Sequence, residues 1–177
     1  TLEVWGTIFS NNASHNSHIE KRIQSCRRAM YAYSGAGYSY PGLFTEAKVY
    51  LWKSVVLPTL NFGLENIAIN RTNMWKLNTV QASSIKKVMG IPERSHHTNL
   101  LSALNIEHIE NVVERNVLSL WYRVFRIDTP ARTLNSNILA TYILTGSIPK
   151  GSLLEKVVNT GMSPVNAIFQ KPSRISH

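Results

Sequence analysis

The chain is short of acid, of cysteine and of long apolar runs. Asp occurs once in 177 residues, at Asp128, and the remaining carboxylates are scattered Glu. A two-metal nuclease or polymerase centre needs clustered carboxylates to hold its ions, so none is expected within these residues. The single Cys26 forms no internal disulfide and has no second thiol with which to build a Cys-based zinc site, which excludes a secreted disulfide scaffold. The apolar stretches are broken by Lys53 and Arg123, short of the roughly 18 uninterrupted residues of a membrane helix, so a soluble chain is expected. The sequence opens at Thr1 with neither a Met nor a charged-then-apolar leader. The expectation is therefore a piece of a longer intracellular protein.

What the chain does have is positive charge. Lys and Arg number 19 against 10 Asp and Glu, for a net charge of +9 and a pI near 9.9. A polyanionic partner follows more naturally than an acidic one. At 44% hydrophobic and 16% charged, the composition is that of a folded domain and not of a disordered basic tail.

Residues 1–10 are β-branched and aromatic and run into the polar Asn11-Asn12-Ala13-Ser14, which reads as a strand entering a turn, its partner expected upstream of Thr1. Ser17 and Glu20 match a capping box. Ile19, Ile23, Cys26, Met30 and Tyr33 then trace an apolar helical stripe, with Lys21 and Arg28 opposite it and Arg22 and Arg27 on its flanks. Ser34-Gly35-Ala36-Gly37 ends this helix. A second helix is expected from Phe44 or Thr45, with Ala47, Leu51 and Val55 inward and a stop or kink before Pro58. A third runs from about Asn73 to Met89, closed by Gly90-Ile91-Pro92, and Thr98 caps a short turn through Leu104. The longest spans about Ile106 to Ile127, with Ile106, Ile109, Val113, Val117, Leu120, Val124 and Ile127 on one face. Beyond Asp128 the pattern weakens to two shorter helices, Ser136–Leu144 and Leu153–Asn159, and a loose tail from Gly161.

Candidate chemistry is sparse. His15 with His18, and His96 with His97, suggest metal ligands, but no acidic or thiol third ligand is spaced to join them, and exposed or locally bonded histidines are the plainer reading. Cys26 lies in the apolar stripe and reads as a small buried hydrophobe. Gly35-Ala36-Gly37 follows a helix, whereas a phosphate loop precedes one, so these glycines are a stop and hinge. Asn12-Ala13-Ser14 and Asn70-Arg71-Thr72 match glycosylation sequons by chance. The basic residues carry more weight: Lys21, Arg22, Arg27 and Arg28 on one helix, with Lys76, Lys86 and Lys87 on another, form a candidate surface for a nucleic-acid backbone. Trp5, Tyr31, Tyr33 and Tyr38 are interleaved aromatics that could stack on bases, although Tyr33 falls on the core stripe.

In order along the chain, these segments resemble the region that follows the catalytic palm in reverse transcriptases of LINE-like, non-LTR retrotransposons. Val4-Trp5-Gly6-Thr7-Ile8 resembles the primer-grip strand of that family, with Trp5 where Leu is usual. His18-Ile19-Glu20-Lys21-Arg22-Ile23 with Cys26-Arg27-Arg28-Ala29 is similar to its first thumb helix. Tyr50 to Glu65, with Pro58, Phe62-Gly63 and Glu65, is similar to its proline, tyrosine-glycine and glutamate signature, with Phe62 where Tyr is frequent. Leu77 to Pro92 and Thr98 to Leu101 match the next block, so the likeness covers about residues 2–127.

The resemblance implies a mainly α fold, a multi-helix, thumb-like bundle preceded by a short β-strand or hairpin remnant. The divisions expected are 1–16 (strand and turn, primer-grip-like at Trp5 and Gly6), 17–127 (helical thumb) and 128–177 (C-terminal extension). It implies a non-catalytic fragment of an RNA-directed DNA polymerase that binds an RNA and DNA primer–template hybrid, with a missing upstream palm as its other partner and no membrane. The family's catalytic aspartates lie in that palm, so no cofactor is expected in this chain and Mg only in the palm. In the nucleic-acid-binding role the residues are Lys21, Arg22, Arg27, Arg28, Lys76, Lys86 and Lys87. The competing readings are a helical protein-interaction module, or a retrotransposon remnant without function, and a metal-dependent hydrolase using His96 and His97.

Overall fold

The structure, a computed structural model, describes residues 2–4, 7–9, 16–37, 40 and 42–169. It is mainly helical. Strands β1 (Leu2–Val4) and β2 (Thr7–Phe9) pair antiparallel, with Leu2 opposite Phe9 and Val4 opposite Thr7. The segment read as one strand in need of an outside partner is thus two short strands that pair with each other. Eight α-helices follow among the described residues: α1 (Asn16–Gly35), α2 (Thr45–Asn61), α3 (Arg71–Met89), α4 (His97–Ala103), α5 (Ile109–Arg126), α6 (Pro130–Thr145), α7 (Leu153–Asn159) and α8 (Pro164–Phe169).

The chain divides into two compact units. One comprises Thr1–Leu64 and Ile69–Glu110, the other Glu65–Ala68 and Asn111–His177. The division falls at the start of α5, whereas the weakening of pattern at Asp128 marks the break between α5 and α6.

In the first unit α1, α2 and α3 pack on one another, and β2 lies against α1. All five stripe residues of α1 are buried, each such apolar side chain contributing about 1.5–3 kcal/mol. Ser17 does not cap the helix: α1 has already begun at Asn16, whose side-chain Oδ1 accepts a bond of 2.7 Å from Asn73 Nδ2 on α3. In α2 the inward face is Val49, Trp52, Val56 and Leu60, with Trp52 and Val56 one position on from the expected Leu51 and Val55, and Val55 is exposed. The cause is Trp52, whose indole is fully buried and donates to Ser84 Oγ of α3 at 3.1 Å, and which sets the helix rotation by its size. Nor does Pro58 end α2. It sits on the exposed side, so the Ser54 carbonyl it fails to serve faces water, and burial of Val56 and Leu60 on either side outweighs the lost bond.

Asn70 caps α3, its Oδ1 accepting from the Asn73 amide at 2.8 Å. Gly90 closes it at φ 68°, with the Ile91 amide bonded back to Lys86 O at 2.9 Å. Helix α4 begins at His97, so Thr98 lies inside it and caps nothing. Gln81, buried on α3, receives the start of α5: its Oε1 accepts from the Ile109 amide at 3.0 Å and its Nε2 donates to Glu107 O at 2.8 Å.

In the second unit Trp121 is fully buried and donates to Pro164 O at 3.0 Å, tying α5 to α8. Ile127, expected in the core, is exposed, because α5 ends at Arg126 and Ile127 lies in the break before α6. Helix α6 starts six residues before Ser136, with Pro130 in its first turn. Helix α7 has the expected bounds and is capped by Ser152 Oγ, which accepts from the Glu155 amide at 3.1 Å. Helix α8 occupies part of the segment read as loose tail. No helix among the described residues is long and apolar enough to cross a membrane.

Candidate nucleic-acid interface

Because the buried stripe of α1 takes one side of the helix, at about 100° per residue its opposite side carries Lys21, Gln24, Arg28 and Tyr31, with Glu20 and Arg27 on one flank of the stripe and Arg22 on the other. Arg27 and Arg28 are exposed and make no ion pair among the described residues, and Lys21 is half-exposed. Glu20 is neutralised by Lys76, whose Nζ lies 2.9 Å from Glu20 Oε1. That pair and the Asn73–Asn16 bond set the first turns of α1 and α3 side by side, running in the same sense. The structure therefore brings Lys76 of α3 to the basic side of α1. A shallow depression lined by Ser17, Glu20, Lys21, Ile23, Gln24 and Arg27 runs along this face.

Two expected contact residues are corrected. Arg22 is 9% exposed and lies inside the fold, its guanidinium 5.2 Å from the centre of the Phe62 ring. On the wheel it stands 100° from Ile23, close enough to the stripe for packing to capture it, and its charge is spent on an aromatic face. Lys86 is 7% exposed, and its ammonium donates to Glu93 O at 2.7 Å and to Ser95 O. It closes the loop after α3 and presents no charge to a ligand. Its neighbour Lys87 is exposed. The primer-grip-like residues Trp5 and Gly6, and His15, lie outside the described residues.

Arg22 belongs to a cluster that gathers three of the separated motifs. His18 of α1 is fully buried, with Nε2 3.3 Å from Phe62 O, and since a carbonyl only accepts, this bond places a proton on Nε2. Gly63 follows at φ 73°, and a Cβ there would stand 2.8 Å from Thr7 Oγ1 of β2 and 3.3 Å from His18 Nε2. Only glycine fits this approach. Strand β2, the start of α1 and the end of α2 are thereby locked together. The signal in the sequence was the Phe62-Gly63 pair; His18 as its partner was not foreseen.

Burial pushes the Cys26 thiol up to about 11, opposed only in part by Arg27, so the sulfur stays protonated at neutral pH. His97 and His108 meet edge-on with ring centres 6.5 Å apart, and no group of three or more His, Cys, Asp or Glu side chains able to hold a metal occurs among the described residues. Asp128 is an exposed partner of Arg132 at 3.8 Å. In the second unit, burial lowers the Lys156 ammonium to about 8, against the opposing charges of Glu65 and Glu155, while it donates to Glu65 O at 3.1 Å.

Of the aromatics considered for stacking, Tyr33 is buried and its hydroxyl donates to Lys48 O at 3.1 Å. Tyr31 is 75% exposed. Trp75, on the first turns of α3, is also exposed. The arrangement can bind a polyanion along one helix face. In comparisons with known proteins, no family model, no curated protein and no solved structure matches the chain.

Proposed function

We propose that this chain is the non-catalytic thumb segment of a non-LTR retrotransposon reverse transcriptase, and that it holds the phosphate backbone of an RNA–DNA primer–template along the outer face of α1. The observation that carries the binding half of the proposal is the pair of exposed arginines, Arg27 and Arg28, with Lys21 beside them and Lys76 cancelling the one acid of that face. The family half rests on the order of motifs and on the convergence of His18, Phe62, Gly63 and Thr7 in one packed cluster. In this reading β1 and β2 are the last piece of a primer-grip hairpin, Mg is held by aspartates of an upstream palm, and the chain alone does not polymerise.

The test is fluorescence anisotropy of the purified chain with a labelled RNA–DNA hybrid over a salt series. Binding that weakens steeply with salt is expected. Replacing Lys21, Arg27 and Arg28 by Gln should lower the salt slope by about one unit per lost phosphate contact, whereas Arg22→Met should leave it unchanged. Absent or salt-independent binding by the unaltered chain would overturn the proposal. A second reading, a helical protein-interaction module, is favoured by the exposed Leu134, Ile143 and Leu144 on α6. Concentration-dependent self-association without nucleic-acid affinity would select it.

A further inference from the structure

Tyr31 is the most exposed large hydrophobic side chain on α1, and nothing in the fold accounts for it. Two residues on, Tyr33 is 1% exposed with a bonded hydroxyl, so the helix separates a structural tyrosine from one presented to solvent. Tyr31 also stands in a particular setting. Arg27 and Arg28 precede it by four and three residues, the spacings that place side chains next to one another on a helix surface, and both are exposed. Gln24, four residues before Arg28, is exposed on the same ridge. Along the axis Tyr31 lies about 6 Å beyond Arg27 and about 4.5 Å beyond Arg28, close to the length of one nucleotide. Phosphate-binding side chains one nucleotide away from a flat aromatic face are the arrangement by which proteins hold an unpaired base.

We infer that Tyr31 is a stacking platform for an unpaired base, with Arg27 and Arg28 holding the phosphates that flank it. This face prefers a single-stranded segment, or the overhang of a primer–template, over a blunt duplex, whose bases are already stacked and which it holds through its phosphates alone. The inference rests on the nucleic-acid reading above and deepens it. Charge alone would make α1 indifferent to strandedness, whereas the tyrosine makes it selective. A phenol ring has a face for every base, so little sequence preference accompanies the binding.

The experiment compares a labelled single-stranded oligonucleotide with the blunt duplex of the same sequence, using the full 177-residue chain and its Tyr31→Ala, Tyr31→Leu and Tyr31→Trp variants. Thermal melts establish that each variant folds, as the exposure of residue 31 leads one to expect. The expected result is single-strand binding weakened at least about five-fold in Tyr31→Ala and Tyr31→Leu, retained in Tyr31→Trp, with the salt slope unchanged in all three. Duplex binding should be unaffected by any of them. Tyr31→Ala binding the single strand within about two-fold of the unaltered chain would overturn the stacking role and leave the phosphate-binding proposal standing. Equal losses on single strand and duplex would overturn the selectivity for unpaired bases. If the unaltered chain shows no salt-dependent binding to either probe, the underlying reading fails and this inference falls with it.

Discussion

Gly63→Ala should destabilise the chain by two separable effects. The first is conformational: Gly63 holds φ 73°, and an L side chain in the left-handed region costs about 1–2 kcal/mol. The second is steric, because the new Cβ would stand 2.8 Å from Thr7 Oγ1 and 3.3 Å from His18 Nε2, closer than a Cβ tolerates in the first case and tight in the second. Neither neighbour yields readily. Thr7 is β-branched, buried and on a paired strand, and His18 is fully buried with its ring nitrogen bonded to Phe62 O. Overpacking of this kind costs about 1–3 kcal/mol, so the total is about 2–5 kcal/mol and Tm falls by roughly 4 to 20 °C. Gly37→Ala is the matched control, since Gly37 holds φ 81° with no atom within 4 Å of the added Cβ, and it should show the conformational part alone. Thermal melts followed by circular dichroism measure both. Adding Thr7→Ala to Gly63→Ala should recover at least about 1 kcal/mol by removing the clashing oxygen. If Gly63→Ala and Gly37→Ala melt within about a degree of each other, the locking of β2, α1 and α2 through Gly63 is wrong.

Adjacent lysines should behave oppositely: Lys86→Met, which strips the donor from the Glu93 and Ser95 carbonyls, should cost about 2 kcal/mol in urea unfolding, and Lys87→Met should stay within about 0.5 kcal/mol. The alkaline limb of stability should carry two opposed contributions. Cys26, raised from 9.0 to about 11, keeps its proton in the folded state while the unfolded thiol ionises, so its contribution is whole below pH 9 and is lost as pH climbs toward 11. Lys156, lowered from 10.5 to about 8, binds its proton less well when folded, so stability rises with pH between about 8 and 10.5. Cys26→Ala should flatten the fall above pH 9 and leave the rise, as read by urea midpoints across that range; an unchanged fall would show that the thiol is not the group responsible.

The helices that were legible in the sequence are those in which local signals agree with packing. For α3, the stop at Met89 is written in Gly90-Ile91-Pro92, and for α7 the expected bounds Leu153–Asn159 match residue for residue. The stripe of α1 was equally plain, since its five apolar positions face a continuous core. Where one large side chain dominates, periodicity misleads. Trp52 turns α2 toward itself and leaves Val55 outside, while Ile127 is left outside because α5 stops one residue before it. Apolar residues occur on several sides of α2, so a pattern of spacings admits more than one phase, and only the volume that a neighbouring helix leaves free decides among them. Pro58 misled for a related reason: the rule against proline concerns a bond lost in the interior, and here the orphaned carbonyl is on the wet side.

The charges pose a harder problem than the helices, because counting them is trivial and locating them is not. Lys21 and Arg22 are neighbours in sequence, yet one is half-exposed and the other 9% exposed over Phe62. Lys86 and Lys87 divide in the same way. A rotation of about 100° between adjacent residues is enough to carry a cation from solvent to the edge of the core. Whether it is kept there depends on a partner beyond its own helix, an aromatic ring in one case and a pair of loop carbonyls in the other. Net charge thus overstates the surface available to a polyanion. Of the cations that survive as candidates on α1, Lys21 and Arg28 lie away from the stripe, whereas Arg27 flanks it as Arg22 does on the other edge and differs from it in having, among the described residues, no ring like that of Phe62 to draw it in. Tyr31 shares the side of the wheel that holds Lys21 and Arg28, and so the geometry that removes Arg22 from the interface is the same geometry that admits Tyr31 to it.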